Sequence, residues 1–230
     1  MIASAGGPPP LVAVVGPTAS GKSGLGVDLA AALGGEVVNA DAMALYRGMD
    51  VGTAKLTPAE RDGVPHHLLD VLEVTETASV AAYQRAARAT IDELRAAGRT
   101  PVLVGGSGLY VQAVVDELEF PGTDSGLRAE LEAELAAVGP AALHTRLAVV
   151  DPAAAADVLP SNGRRIVRAL EVVTLTGRPF PARLATGGAP RYDAVLLGVD
   201  RPTPELDERV GRRVARMFSG GLVAELGPRR

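Results

Sequence analysis

Gly16-Pro17-Thr18-Ala19-Ser20-Gly21-Lys22-Ser23 follows the apolar run Leu11-Val12-Ala13-Val14-Val15 and opens an alanine-rich segment of helical periodicity. The stretch reads as strand, glycine-bounded loop and helix. It satisfies G-x-x-x-x-G-K-[ST], the phosphate-binding loop, at every defined position. Glycines let the backbone turn so that several N–H groups converge on one centre, and the helix N-terminus adds partial positive charge. Lys22 is placed to reach the distal phosphate, and the hydroxyl of Ser23 is placed to ligate Mg²⁺. The loop predicts a chain that grips a di- or triphosphate.

Composition bounds what surrounds that loop. A chain of 230 residues with 47% hydrophobic residues can bury one large α/β domain with a modest insertion, and 3% aromatics leave the core to Ala, Val and Leu. The net charge of −4 argues against a general nucleic-acid coat, so charge placement matters more than its sum. The absence of cysteine removes disulfides and thiolate metal sites. No apolar run reaches the roughly eighteen residues that a membrane helix needs. Residues 1–10 read as a disordered lead-in rather than a signal peptide. A cytoplasmic enzyme is expected.

Along the chain, Leu25, Leu29 and Leu33 recur at helical spacing before Gly34-Gly35, and residues 36–40 form a second strand with Asp41 just past its end. Ligands of parallel α/β sheets sit at the C-terminal ends of the strands, so topology alone sets Asp41 beside the phosphate loop. His66-His67 near Asp70 could suggest a metal, but no further ligand stands at zinc spacing; polar ties between loop and core are expected. Val80, Tyr83, Ala87, Ile91 and Leu94 mark a helix face, and Val102-Leu103-Val104 a buried strand that ends in Gly105-Gly106-Ser107. A phosphate-loop ATPase carries an acid at the end of such a strand to hold the Mg²⁺ shell. Gly-Gly-Ser instead suits a second contact to a phosphate, and Asp41, with no evident partner, suits a general base.

From residue 115 the character changes. Glu117, Glu119, Asp124, Glu130, Glu132 and Glu134 make an acidic start, with Leu127, Leu131, Leu135 and Val138 at helical spacing. Between 161 and 191 six arginines (164, 165, 168, 178, 183 and 191) face one acid, Glu171, a composition that suits contact with a phosphate backbone as well as a solvated face. Residues 194–199 return as a strand, followed by a helix with Leu206, Val210 and Val214 as its buried stripe. The expected architecture is α/β: a P-loop NTPase-like parallel sheet with helices on both faces, built from 11–114 and 191–230, with a mostly helical insertion domain at 115–190.

Residues 16–23, 41–55 (above all Tyr46-Arg47-Gly48-Met49-Asp50-Val51-Gly52-Thr53-Ala54-Lys55), 66–71, 105–110 and 164–171, in this order, resemble the bacterial tRNA isopentenyltransferase family. The resemblance spans about residues 11 to 226. It implies transfer of the dimethylallyl group from dimethylallyl diphosphate to N6 of adenine 37 in the tRNA anticodon loop, with Mg²⁺ as cofactor. By the resemblance Gly16, Pro17, Thr18, Ala19, Ser20, Gly21, Lys22 and Ser23 hold the diphosphate, Ser23 with the metal. Asp41, Ser107 and Arg213 are catalytic, with Arg209 as the other arginine that could point at the diphosphate. It implies tRNA contacts at Asp41, Ala42, Met43, Ala44, Ser107, Arg128, Arg164, Arg165, Ile166, Val167 and Arg168. A monomer that binds tRNA and no membrane is expected.

Two departures accompany the resemblance. The family writes Asp-Ser-x-Gln where this chain has Asp41-Ala42-Met43-Ala44, so two polar side chains are missing. Family chains also continue beyond the Gly221-Leu222 segment, so the C-terminal part of the core is read as truncated. The competing readings are an adenylate isopentenyltransferase, a P-loop small-molecule kinase, and a shortened chain that binds tRNA or diphosphate without turnover.

Overall fold

The computed structural model describes residues 7–118, 120–181 and 190–227. Residues 1–6 of the expected lead-in, Glu119, Arg183 and residues 228–230 lie outside them. The chain divides into two compact units, Met1–Glu117 with Gly188–Arg230, and Leu118–Gly187.

The first unit is a five-stranded parallel sheet in the order β3-β2-β4-β1-β5. The strands are β1 (Val12–Val15), β2 (Glu36–Asn39), β3 (His66–His67), β4 (Pro101–Gly105) and β5 (Val195–Gly198). Strand alternation sends Ala13, Val38 and Leu103 to one face, where they pack with Tyr83, Ala87, Ile91 and Leu94 of α2 (Val80–Ala96) and Tyr110, Val111 and Val114 of α3 (Gly108–Val115). Val14, Val37, Val102 and Val104 go to the other face and meet Val27 and Ala30 of α1 (Lys22–Leu33). Burial on both faces explains why β1 and β4 read as unbroken apolar runs.

Three expectations change. The buried face of α1 is Gly26, Val27 and Ala30, whereas Leu25 is exposed. A Cβ on Gly26 would stand 2.5 Å from Val104 Cγ2, so the helix lies close enough to the sheet that its small residues must face inward. The stripe of α7 (Thr203–Ser219) is not buried: Val210 and Val214 are exposed, as is Phe218 one turn on. β3, two residues long, stands where the sequence suggests loop, because a strand that short has no alternation to detect.

The second unit is helical. α4 (Ser125–Val150) is broken at Gly139, whose φ is 81°, and Pro140; α5 (Pro152–Asp157) and α6 (Gly163–Thr176) pack against it. Leu131 lies in that core with Leu127 and Leu135 beside it, while Val138 is exposed next to the break. Asp151 caps α5 through Ala154 N–H at 3.0 Å and accepts from Phe180 N–H at 2.7 Å. α8 (Leu222–Glu225) closes the described part of the first unit.

Candidate active site

The phosphate loop lies between β1 and α1, and its conformation follows from its residues. Gly21 precedes α1 at φ 101°, where a side chain is strained, and Ala19 sits at φ 62°. Lys22 Nζ donates to Pro17 O at 2.8 Å and is thereby folded over the loop. Burial lowers the pKa of Lys22, the nearby carboxylate of Asp41 opposes that shift, and Arg213 adds to it. Ser23 is exposed in the first turn of α1.

β4 brings the second glycine segment against this loop. A Cβ on Gly106 would stand 3.3 Å from Gly16 O and 3.3 Å from Lys22 Nζ, so the two segments meet closely here. Gly105 passes Ala40 more closely still, with a Cβ position 2.2 Å from Ala40 O. Ser107 then receives the N–H of Ala42 on its Oγ at 3.4 Å. A cleft of about 330 Å³ opens here, lined by Val15, Gly16, Pro17, Gly105, Gly106, Gly108 and Val111.

Asp41 is fixed by its neighbours. Asn39 Oδ1 accepts the Asp41 N–H at 2.9 Å, and Asn39 Nδ2 donates to Asp41 O at 2.9 Å and to Leu68 O at 3.0 Å. Asp41 Oδ1 accepts from Met43 N–H at 2.9 Å, which starts a 3₁₀ turn over Met43–Leu45. The carboxylate that the sequence left without a partner thus has an amide on one oxygen and Lys22 as its opposite charge. Among the nominated neighbours, Met43 is exposed and Ala42 half-buried, but Ala44 is buried in the turn, so its side chain offers no surface to a base.

The segment 46–55 is a polar scaffold. Lys55, almost fully buried, pairs with Asp50 at 2.8 Å and Asp70 at 2.5 Å and donates to Tyr46 O at 2.5 Å. Glu225 of α8 accepts from three successive amides, those of Asp50 (2.7 Å), Val51 (2.6 Å) and Gly52 (3.0 Å). The next carbonyl, of Thr53, receives Arg213 Nη2 at 3.2 Å. The structure therefore separates the two candidate arginines: Arg213 rests on this scaffold and is an electrostatic neighbour of Lys22, whereas Arg209 Nε donates to Ala19 O of the phosphate loop at 2.7 Å. Arg201, which sequence reasoning missed, donates through Nε to Ser20 O at 2.6 Å. Its signal was available: like Asp41, it follows a parallel strand at its C-terminal end.

The histidine pair is engaged in loop ties. His66 Nδ1 lies 2.8 Å from Val64 O, and His67 Nε2 lies 2.6 Å from Glu36 Oε2. No cluster of three or more His, Cys, Asp or Glu side chains able to hold a metal occurs among the described residues.

In the helical unit the nominated RNA contacts divide. Arg164 and Arg165 are exposed on α6. Ile166 and Val167 are buried in the helical core, a correction that follows from helical periodicity: residues between outward arginines turn inward. Arg128 and Arg168 converge on Glu171, which is fully buried, at 2.6 and 2.7 Å. Arg168 also donates to Pro121 O (2.7 Å) and Gly122 O (3.1 Å). Burial would raise the pKa of Glu171, but Arg128, Arg168 and the Asp124 N–H outweigh it and hold the carboxyl below its usual value. These two arginines are thus part of the internal structure of the unit, with Glu171 as the interleaved acid.

Comparison with known proteins agrees with this geometry. The IPP transferase family model matches residues 44–227. The tRNA dimethylallyltransferase of Streptomyces coelicolor is 67% identical over 218 residues, 95% of this chain and 70% of that protein. Among solved structures, the full-length tRNA isopentenylpyrophosphate transferase of Bacillus halodurans is 45% identical with a TM-score of 0.63, over 94% of this chain and 68% of that one. A eukaryotic dimethylallyltransferase acting on tRNA is 27% identical with a TM-score of 0.78, over 94% of this chain and 54% of that one. No helix among the described residues is long and apolar enough to cross a membrane. With its signature loop, its sheet and its sequence all pointing the same way, the chain belongs to the tRNA dimethylallyltransferase family of IPP transferases.

Proposed function

We propose that this chain transfers the dimethylallyl group of dimethylallyl diphosphate to N6 of adenine 37 in a tRNA anticodon loop and releases diphosphate. The observation that carries this reading is the meeting of an anion cradle and a carboxylate at one sheet edge. Gly106 packs on Lys22, and the Ser107 hydroxyl bonds the amide next to Asp41. The strand end that would hold an ATPase's acid is Gly-Gly-Ser.

In this reading the loop amides, Lys22, Ser107 and Arg213 hold the diphosphate. The adenine leaves its stack to enter the cleft. Its N6 attacks C1 of the allyl group, the C1–O bond breaks, and the electron pair leaves with the diphosphate. Asp41 takes the N6 proton on the oxygen that Met43 does not occupy. Charge grows most on the departing diphosphate, where Lys22 and Arg213 lie. Ser23 would hold a Mg²⁺ ion carried by the diphosphate, and that ion, when bound, would supply positive charge to the leaving group. Exposed Arg164 and Arg165 contact the tRNA backbone. Every group named for the chemistry lies in one unit of one chain, which supports the reading of a monomer, and the proposed tRNA substrate supports the reading of a cytoplasmic enzyme.

The test is incubation of the chain with labelled dimethylallyl diphosphate and Mg²⁺, offering unmodified tRNA or adenosine monophosphate, with a parallel assay of ATP turnover. Label in tRNA supports the reading. Label only in the mononucleotide, ATP consumption without transfer, or binding without transfer each overturns it in favour of the corresponding alternative.

A further inference from the structure

The backbone of the phosphate loop is gripped from outside by the segment that follows β5. Arg201 Nε donates to Ser20 O at 2.6 Å and Arg209 Nε donates to Ala19 O at 2.7 Å. Glu205 stands between them, its Oε1 2.6 Å from Arg201 Nη1 and 3.7 Å from Arg209 Nη1. The remaining guanidinium nitrogens lie over Gly21: a Cβ there would be 3.4 Å from Arg209 Nη2 and 3.7 Å from Arg201 Nη2. Of the two gripped residues Ala19 is strained, at φ 62°, and Ser20 is followed by Gly21 at φ 101°, which glycine adopts freely. A left-handed alanine persists only where its surroundings hold it.

We infer that Arg201, Glu205 and Arg209 form a clamp of positioning residues that holds the carbonyls of Ala19 and Ser20 outward and so aims the loop amides at the diphosphate. The inference rests on the reading of this loop as a diphosphate cradle. Two guanidinium groups on one carboxylate also leave one positive charge beside the anion. The clamp differs from Lys22 and Arg213 in where its arms end: on backbone oxygens of the loop itself. A planar guanidinium can bond a carbonyl and a carboxylate together; a lysine ammonium on its flexible stem does not reproduce that fork.

The test is calorimetric titration of the full chain with inorganic pyrophosphate and Mg²⁺, which needs no tRNA. Wild type binds, and Lys22→Ala binds much more weakly. Arg201→Ala and Arg209→Ala each weaken binding about tenfold, the size expected for one charge-assisted hydrogen bond that orders the site. Arg201→Lys stays weakened, and Glu205→Gln weakens binding about threefold because both arginines lose their brace. Wild-type affinity in Arg201→Lys, or tighter binding in Glu205→Gln, overturns the clamp, since either shows the arginines acting on the anion as charges alone. Unchanged binding in the alanine variants also overturns it. If the alanine variants unfold, the lysine and glutamine variants decide the matter. Failure of wild type to bind pyrophosphate would instead remove the diphosphate reading, and the clamp with it.

Discussion

At the residue scale the account turns on Asp41 and Lys22. Asp41→Asn keeps the Asn39 and Met43 bonds available but removes the base, so transfer to tRNA falls by about 10²-fold or more while pyrophosphate binding stays within a few-fold; single-turnover transfer and calorimetry check the two halves. Lys22 gives a pH signature. Burial keeps its pKa below the ordinary 10.5, so diphosphate affinity falls as pH rises through that lowered value, on the alkaline side but short of 10.5. Because Asp41 raises the pKa of Lys22, Asp41→Asn moves the fall to lower pH, which titrations at a series of pH values would detect. Asp41 was legible in the sequence because a strand end and a sheet rule locate it. Arg201 carries the same strand-end signal, but its bond to Ser20 O and the inward turn of Ala44 were not legible, because they depend on which groups the tertiary structure brings within reach.

Elements transmit these positions. Glu225 of α8 ties three amides of the 50–52 loop, and the neighbouring Thr53 carbonyl holds Arg213. Glu225→Gln is therefore expected to release the scaffold and lower the rate of transfer about tenfold, with a smaller change in tRNA affinity, measured as kcat against KM for tRNA. Gly105→Ala forces a Cβ into the Ala40 carbonyl and destabilises the sheet by about 3 kcal/mol, read from urea unfolding. In the helical unit Glu171→Gln strips two arginines of their buried partner and destabilises by about 3 kcal/mol. The pKa of Glu171 is depressed in the folded chain, so its contribution is present above the ordinary glutamate value of 4.5 and is lost as pH falls through the lower folded value. Strands β1, β2, β4 and β5, the helix ends at glycine and the phosphate loop were readable because each is a local pattern. The inward face of α1 was not, because close approach at Gly26 selects small residues over the leucines that periodicity favours. Ile166 and Val167 were drawn into the RNA contacts by carrying over a contiguous motif, where the helical period separates them from the outward Arg164 and Arg165.

For the whole molecule, the proposed function has two units serve one substrate: the sheet unit holds the groups proposed for the chemistry, and the helical unit exposes Arg164 and Arg165. The net charge of −4 makes those arginines local features on an acidic protein. Replacing both Arg164 and Arg165 with alanine weakens tRNA binding and makes its log–log salt dependence about 1.5 shallower, the share of two phosphate contacts. An unchanged slope returns both residues to a solvated helix face. The central claim is that the phosphate loop holds a leaving group rather than a nucleotide. The most direct measurement is a nucleotide-free reaction of the chain with dimethylallyl diphosphate, Mg²⁺ and unmodified tRNA, in which pyrophosphate release and prenyl incorporation are counted together. The account predicts one pyrophosphate released for each dimethylallyl group found on tRNA. Incorporation that requires ATP, or pyrophosphate released without incorporation, would contradict it.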